Sequence, residues 1–206
     1  MSTQRNTERA IAQRERILNA AQSCFIRHGF HSAGMAMVAE AANMSPGLIY
    51  RYFPSKSAII LAIIQRQLEE AREGIRKLYG ARDFACGVYD CYDQWRSADP
   101  LVMNATLFLE MSAEAARDPA IAAALRASDR SLREELSNWM SADPSQGGKG
   151  LSPEMARVRS ISLMCFVEGL AIRALREPDL PPEELKAAID HFLQGLFASE
   201  GRGASN

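Results

Sequence analysis

The chain has 206 residues, with 24 Lys and Arg against 25 Asp and Glu and a formal net charge of −1. Its content of 47% hydrophobic and 24% charged residues excludes global disorder and indicates a soluble globular protein of one large or two small domains. No apolar run reaches the ~18 residues of a membrane span, and the polar, charged N-terminus predicts no secretory signal peptide. The near-zero net charge argues at first against a nucleic-acid partner.

Alanine and leucine are common and valine is rare, which predicts an all-α chain. Four of the nine prolines follow a residue that can cap a helix, at Ser45-Pro46, Asp99-Pro100, Asp118-Pro119 and Ser152-Pro153. With the apolar spacing, these signals predict about nine helices, at about 7–28, 36–42, 46–53, 56–79, 84–96, 100–117, 119–140, 153–176 and 182–199. Residues 141–151 are predicted to form a loop, and residues 200–206 a disordered tail.

The charge is unevenly distributed along the chain. Residues 1–56 contain seven Lys and Arg against three Glu, a net charge of +4. The remaining 17 basic and 22 acidic residues give the rest a net charge of −5. A basic first quarter on an acidic remainder indicates that the first quarter meets a polyanion, although many helical surfaces carry such an imbalance.

The sequence contains no pattern typical of a metal, cofactor or catalytic site. Cys24, Cys86, Cys91 and Cys165 show no C-x-x-C spacing and are interpreted as reduced thiols. His28 and His31 are three residues apart, but no third ligand is evident. We therefore expect no metal, no cofactor and no enzymatic activity.

Residues 36–53 read AMVAEAANMSPGLIYRYF and predict a helix-turn-helix. Asn43 stands at the turn, where asparagine tolerates a left-handed backbone, and Ala39 is small enough for two helices to cross closely. The internal apolar contacts are assigned to Val38, Met44, Ile49 and Phe53. In this motif the second helix enters the major groove of DNA by its N-terminal end.

The outer face of the short second helix has residues suited to DNA. Tyr50 and Tyr52 can contact sugar, phosphate and thymine methyl groups, and Gly47 allows a close backbone approach. Ser55 can cap the next helix, where Lys56 stands at the positive end. The alternative is that both tyrosines pack at the rim of the core and Lys56 is merely solvated.

Residues of about 13–61 resemble the DNA-binding domain of the tetracycline-repressor-like (TetR) family of bacterial regulators. The matching segments are RERILNAAQSCFIRHGF, MVAEAANMSPGLIYRYF and PSKSAII. The resemblance implies a helix-turn-helix three-helix DNA-binding domain over residues 1–55, and a helical ligand-binding and dimerisation domain over residues 56–199. It also implies a homodimer on a double-stranded DNA operator and an effector pocket among helices 4–7.

The resemblance assigns DNA contacts to ten residues: Ala36, Met37, Ser45, Pro46, Gly47, Leu48, Tyr50, Arg51, Tyr52 and Lys56. The chain departs from the family at Ala33-Gly34, where a hydroxyl side chain is usual, and at Asn43, where glycine is usual. Gly34 can still cap a helix, but one phosphate contact is in doubt. Arg5 and Arg9 are either an arm for the minor groove or part of a disordered N-terminus.

The sixth predicted helix is apolar nearly all round, which indicates either an effector pocket or ordinary core. Glu110 would favour a cationic ligand, but it could instead pair with an arginine or face solvent. The residues predicted to line a pocket are Tyr92, Trp95, Met103, Asn104, Leu107, Phe108, Glu110, Met111, Met164 and Glu168.

The resemblance implies that the last two helices form the dimer interface. Gly169, Phe192, Leu193, Leu196 and Phe197 are assigned to it, since a monomer would leave the apolar stripe of the last helix exposed. The resulting hypothesis is a cytoplasmic transcriptional regulator, a repressor that binds a palindromic operator as a homodimer. A small, largely apolar effector releases it, and no membrane is involved. The alternative is a helical ligand- or lipid-binding module that does not bind DNA specifically.

Overall fold

The computed structural model describes residues 2–78, 84–97, 99 and 104–198, which form nine α-helices, one short 3₁₀ helix and no strand. The predicted all-α class is therefore confirmed. The helices are α1 (Ser2–Ser32), α2 (Met35–Ala41), α3 (Pro46–Tyr52), α4 (Lys56–Leu78), α5 (Phe84–Arg96), α6 (Ala105–Ala115), α7 (Pro119–Ser141), α8 (Pro153–Arg176) and α9 (Pro182–Phe197). Tyr79, Met103 and the tail at 200–206, which the sequence predictions include, lie outside the described residues.

Three of the four predicted capping residues, Ser45, Asp118 and Ser152, begin their helices as predicted. The Ser45 hydroxyl accepts a hydrogen bond from the Leu48 N–H at 3.3 Å, and Ser152 accepts one from Met155 at the same distance. The Asp118 carboxylate caps α7 by accepting from the Ala120 N–H at 2.8 Å. Each side chain satisfies a backbone donor that the first helical turn leaves unpaired.

The described part of the sixth helix begins after Asn104, and the predicted start at Pro100 lies outside the described residues. Asn104 has an extended backbone (φ −114°, ψ 168°) and is the N-cap of α6. Its side-chain oxygen accepts a hydrogen bond from the Leu107 N–H at 3.0 Å. Asn104 is thus a buried polar residue with a capping partner of its own, which the apolar residues around it obscured in the sequence.

The first helix differs from its prediction at both ends. It begins at Ser2 rather than near Thr7, so Arg5 and Arg9 lie on helical turns and form neither an extended arm nor a disordered segment. Gly29 interrupts the helix as predicted, with a backbone outside the helical region (φ 72°, ψ 161°). A last helical turn then follows, from Phe30 to Ser32.

The chain forms two compact units. The first consists of Met1–Glu70 and Ser97–Arg130. Its core joins residues of α1, α2, α3, α4, α6 and α7. The largest fully buried side chains in this core are Phe25, Phe30, Phe53, Ile17, Ile49, Ile59, Ile60, Ile63, Leu107 and Ile121. Burial of these groups is the main stabilising term, at roughly 1.5–3 kcal/mol for each.

The second unit consists of Ala71–Arg96 and Ser131–Asn206 and has a separate core. Trp139 stacks on Phe84 with 4.8 Å between ring centroids, and its indole N–H donates to the Gly147 carbonyl at 3.1 Å. The Phe197 ring meets that of Trp139 edge-on at 6.0 Å. The division between a DNA-binding domain over residues 1–55 and a ligand-binding and dimerisation domain over residues 56–199 concerns function rather than packing, and it stays a prediction.

Among the described residues, no single helix is long and apolar enough to cross a membrane. The bent pair α3 and α4 passes the test by length and composition when the two helices are taken together, with a 54° bend between them. The apolar residues of this pair, such as Ile49, Ile60 and Ile63, are buried in the first core, which accounts for the composition.

Asp118 also joins α7 to α4. Its carboxylate accepts a hydrogen bond from the Ser57 hydroxyl at 2.9 Å. This bond, together with those from the backbone N–H groups of Ala120 and Ile121, holds the pKa of Asp118 below its ordinary value.

We predict that Asp118→Asn lowers stability at neutral pH and that the difference disappears in acid. A lowered carboxylate pKa stabilises the fold above the unfolded value of about 3.9, and this stabilisation is lost as the pH falls through the folded pKa. Urea unfolding of both proteins between pH 7 and 3 measures the difference. Ser57→Ala should raise the Asp118 pKa measured by carboxyl NMR, and parallel profiles for wild type and Asp118→Asn would contradict the assignment.

Candidate nucleic-acid interface

The turn between α2 and α3 is built around Asn43. This residue has a left-handed backbone (φ 50°), as the sequence predicts. The Met44 N–H donates to the Ala39 carbonyl at 2.9 Å, which closes the end of α2. Ala39 itself is buried, and its small side chain leaves room for the neighbouring helices. The turn therefore directs α3 away from the axis of α2 over four residues.

Packing on one face anchors α3. Ile49 has no exposed surface, and Phe53, directly after the helix, is 1% exposed. The Arg14 guanidinium lies 4.3 Å from the centroid of the Phe53 ring, so α1 covers it with a cation–π contact. Seven residues are too few for a stable isolated helix, so the packing of Ile49 and Phe53 supplies the stability of α3.

The opposite face of α3 is open. Tyr50 is 53% exposed, the highest value among the large apolar side chains of α2 and α3. A side chain at Gly47 would meet no atom within 4 Å, so packing does not require glycine there. Tyr52 is half-buried and packs against the first core, as the alternative interpretation proposed.

No residue of the predicted DNA-binding set is buried. Six are exposed: Ala36, Ser45, Pro46, Gly47, Tyr50 and Arg51. Four are half-buried: Met37, Leu48, Tyr52 and Lys56. The structure brings all ten together on α2, α3 and the start of α4, while their role in DNA binding stays a prediction.

Lys56 stands at the N-terminus of α4. Ser55 caps this helix by accepting from the Ala58 N–H at 3.1 Å, as predicted. The Lys56 ammonium donates to the Phe30 carbonyl at 2.5 Å. Because an ammonium has three donors, two remain for a phosphate at this helix end.

Phe30 is in turn bound by α6. Its N–H donates to the Glu110 carboxylate at 2.7 Å, across 80 residues of sequence. Sequence reasoning considered a ligand, an arginine or solvent as the partner of Glu110. A backbone N–H was not considered, because no residue close to Glu110 in the sequence indicates the contact with Phe30.

Arg66 fixes α4 to α1. Its guanidinium donates to Asn19 at 2.7 Å, to Gln22 at 2.6 Å and to Glu15 at 3.2 Å. Gln22 is fully buried, so its amide needs such a partner. This network was not predicted from the sequence, where its signal is a lone arginine in the apolar stripe of α4.

The outer face of α1 is basic. Arg5, Arg9, Arg16 and Arg27 are all exposed, and their spacing places them on one side of the helix. Arg16 and Arg27 also line a cleft of about 850 Å³ formed with α2, together with Glu40. This side of the first unit therefore presents a positive surface to solvent.

The predicted effector-binding residues fall in separate cores. Leu107 and Met111 are buried in the first core. Tyr92 is buried in the second core, against which Trp95 and Met164 pack. Phe108 and Glu110 are half-buried, Glu168 is exposed, Asn104 is buried as the α6 cap, and Met103 lies outside the described residues. Their grouping as one effector pocket stays a prediction.

The Tyr92 hydroxyl is buried without a hydrogen-bond partner among the described residues. Burial raises the pKa of this phenol and the nearby Arg96 guanidinium partly offsets the increase, so the group is protonated at neutral pH.

The outer face of α8 carries exposed apolar side chains among charged ones. Val158 is 55% exposed, Ile161 47% and Leu175 45%, and Gly169 is exposed between them. Of these four residues the predicted dimer interface includes only Gly169, although helical spacing places Val158 and Ile161 on the same side of α8 as this glycine. Of the other predicted dimer residues, Leu193 and Leu196 are buried within the second core, Phe192 stacks on Phe166 at 3.9 Å and Phe197 packs on Trp139.

Comparison with known sequences gives two family matches. Residues 17–63 match a family described as bacterial regulatory proteins, tetR family. Residues 102–198 match the C-terminal part of BetI-type transcriptional repressors. The HTH-type transcriptional regulator UidR of Escherichia coli (strain K12) is 30% identical over 196 residues, covering 91% of each chain.

Solved structures show the same fold. Salmonella enterica GusR superposes with a TM-score of 0.74 at 27% identity, covering 90% of this chain and 95% of its own. A transcriptional regulator from Saccharomonospora viridis in complex with choline superposes with a TM-score of 0.66 at 19% identity, covering 88% and 95%.

We predict that Asn43→Ala destabilises the protein by about 1 kcal/mol, because alanine is strained in the left-handed conformation. Asn43→Gly should be nearly neutral, since glycine adopts this backbone without strain. The matched control is Asn138→Ala on the exposed face of α7, which should stabilise slightly through helix propensity. Denaturant unfolding gives the free energy of unfolding of the three variants. Equal changes for Asn43→Ala and Asn138→Ala would contradict the requirement for a left-handed residue at position 43.

Proposed function

The chain belongs to the TetR family of bacterial transcriptional regulators, and from that premise we propose that it is a repressor released from its operator by a small molecule. In this proposal a homodimer binds a palindromic double-stranded DNA operator, one half-site for each α3. The protein acts in the cytoplasm, where bacterial DNA lies.

The exposed face of α3 carries this proposal. Ile49 is buried and the adjoining Tyr50 is 53% exposed, so packing holds one side of this two-turn helix and leaves its outer side free. Pro46, Gly47 and Leu48 stand at its N-terminal end, which is the end that enters the major groove in this motif. The basic outer face of α1 and Lys56 supply charge for phosphates.

The proposed dimer interface is the outer face of α8. The exposed Val158 and Ile161 lie one turn apart on this face, and a second copy that packs against them would cover both side chains. Gly169 lies on the same face and allows helices to approach closely. A two-fold dimer carries two equivalent copies of α3, which is the reason for a palindromic operator.

The proposed effector is small and largely apolar. Two observations support an effector: a protein of the same fold is bound to choline, and the buried Tyr92 hydroxyl offers a free hydrogen bond inside the second core. The match to BetI-type repressors supports repression rather than activation. The effector must bind the DNA-incompetent state more tightly, and DNA must weaken effector binding by the same factor.

Selection of genomic DNA fragments by the purified full-length protein tests the function. We expect enrichment of a palindromic sequence, a gel shift at moderate salt, and release of that fragment by members of a compound library. Binding of compounds without any specific DNA would overturn the proposal in favour of a ligand- or lipid-binding module.

We predict that Tyr50→Ala weakens binding to the selected duplex about tenfold, or ~1.4 kcal/mol. The ring is exposed and supports nothing in the core, so its loss removes contact area on DNA only. Fluorescence anisotropy measures the affinity, and Tyr50→Phe separates the hydroxyl from the ring. Leu109→Ala, which removes an exposed apolar side chain from α6, is the control and should bind as wild type.

We predict that Ile161→Glu converts the dimer to monomers at micromolar concentration, because a carboxylate would be desolvated in the interface. Ile11→Glu is the matched control, since Ile11 is equally apolar and 58% exposed on α1. Sedimentation velocity gives the oligomeric state. A wild-type monomer, or an unaltered dimer for Ile161→Glu, would refute the assigned interface.

A further inference from the structure

The break in α1 leaves a backbone donor without an intrahelical acceptor. Gly29 has a positive φ, so the Phe30 N–H begins a new helical turn and cannot bond back into α1. Glu110 supplies the missing acceptor at 2.7 Å. The carboxylate also lies against Gly29, since a Cβ at this position would be 3.2 Å from its Oε1 atom. Glu110 thus caps a helical turn that belongs to another part of the first unit.

Phe30 is also held by α4, through its carbonyl group. The Phe30 carbonyl accepts the Lys56 ammonium at 2.5 Å. The Phe30 side chain is 1% exposed and meets Phe25 edge-on with 4.6 Å between ring centroids, so its backbone cannot move independently of the core. A continuous chain of contacts therefore runs from Glu110 through Phe30 to Lys56.

A second contact joins α4 to the start of α7. The Ser57 hydroxyl, next to Lys56, donates to Asp118 at 2.9 Å. Asp118 lies three residues beyond the end of α6. The N-terminus of α4 is thus linked directly to the start of α7 and, through Phe30 of α1, to α6.

We propose that Glu110 is a positioning residue for DNA binding. By capping Phe30, it fixes the carbonyl that orients the Lys56 ammonium, and so presents the remaining Lys56 donors to a DNA phosphate. It also makes the orientation of Lys56 depend on the position of α6. This inference rests on the proposed function, since it takes Lys56 as a phosphate contact.

The position of α6 has consequences for Lys56. Leu107 and Met111 flank Glu110 on α6 and are buried in the first core. A molecule that displaces this helix by about 1 Å would stretch the 2.7 Å bond to Phe30 beyond hydrogen-bond range. Lys56 would then lose its fixed orientation with no contact between that molecule and the DNA-binding helices.

The test compares Glu110→Ala with Glu110→Gln on the full-length protein and the selected duplex. Both variants remove the same negative charge, and charge alone would raise affinity for DNA. Only glutamine retains an oxygen that can accept from the Phe30 N–H. The control Glu114→Ala makes the same charge change one turn along α6, where the carboxylate pairs with the exposed Arg117 at 3.5 Å.

The readout is the dependence of log affinity on log salt concentration. Loss of one phosphate contact lowers the slope by about one unit. We expect Lys56→Ala and Glu110→Ala each to lower the slope by about one unit and the affinity roughly five- to tenfold, and the double variant to add nothing further. Glu110→Gln and Glu114→Ala should keep the wild-type slope.

A merely structural role of Glu110 predicts a different result. Partial unfolding reduces the amount of active protein at every salt concentration and leaves the slope unchanged. If Glu110→Ala does not fold, Glu110→Met replaces it, since methionine keeps the length of the side chain but has no oxygen to accept from the Phe30 N–H. We expect amide exchange at Phe30 to lose protection in Glu110→Met and to keep it in Glu110→Gln, and equal protection in these two variants would overturn the proposal.

The two proposals fail separately. A wild-type protein that binds no duplex specifically defeats the proposed function. A wild-type protein that binds its duplex, with a wild-type slope for Glu110→Ala, defeats only the positioning role of Glu110.

Discussion

The structure of the first unit depends on the burial of one face of a seven-residue helix. A helix of this length does not form in water on its own, so α3 exists only because Ile49 and the adjoining Phe53 are enclosed by other helices. The same residues leave Tyr50 on the outside, since its position on the helix is fixed once Ile49 is buried. One face of α3 therefore packs in the core while the other is free for DNA, so a defined DNA-binding surface requires a well-packed core.

Electrostatics divides along the chain in a way that the net charge conceals. The value of −1 combines +4 on residues 1–56 with −5 on the remainder. The net charge is therefore not evidence against a nucleic-acid partner, because DNA responds to the local field of the surface that it meets. The exposed arginines of α1 lie in the basic part. The acidic remainder would be repelled by phosphates, which favours approach by the basic part.

Local signals predicted most of the fold, and long-range contacts determined what they missed. Proline after a capping residue located the starts of α3, α7 and α8, and asparagine at position 43 identified the turn, because each effect acts within a few residues. Asn104 is also a capping residue, but the apolar residues beside it favoured a continuous helix. The partner of Glu110 lies 80 residues away, and the exposed face of α8 becomes evident only when the second core is assembled. No local pattern encodes such pairings.

The proposed regulation would act through the hydrogen bond between Glu110 and the Phe30 N–H, and the energy of one such bond would be sufficient for it. Coupling between an effector and DNA requires about 1–3 kcal/mol, which corresponds to 5–150-fold in affinity. A hydrogen bond to a charged group contributes about 1.5–3 kcal/mol. The bond between Glu110 and Phe30 is of this type, and it stands at a helix break whose N–H has no other acceptor along α1. The unpaired N–H at a helix break needs an acceptor. When that acceptor belongs to a distant helix, a displacement of the distant helix changes the hydrogen bond at the break. The glycine that interrupts α1 would thus connect the DNA-binding helices to α6.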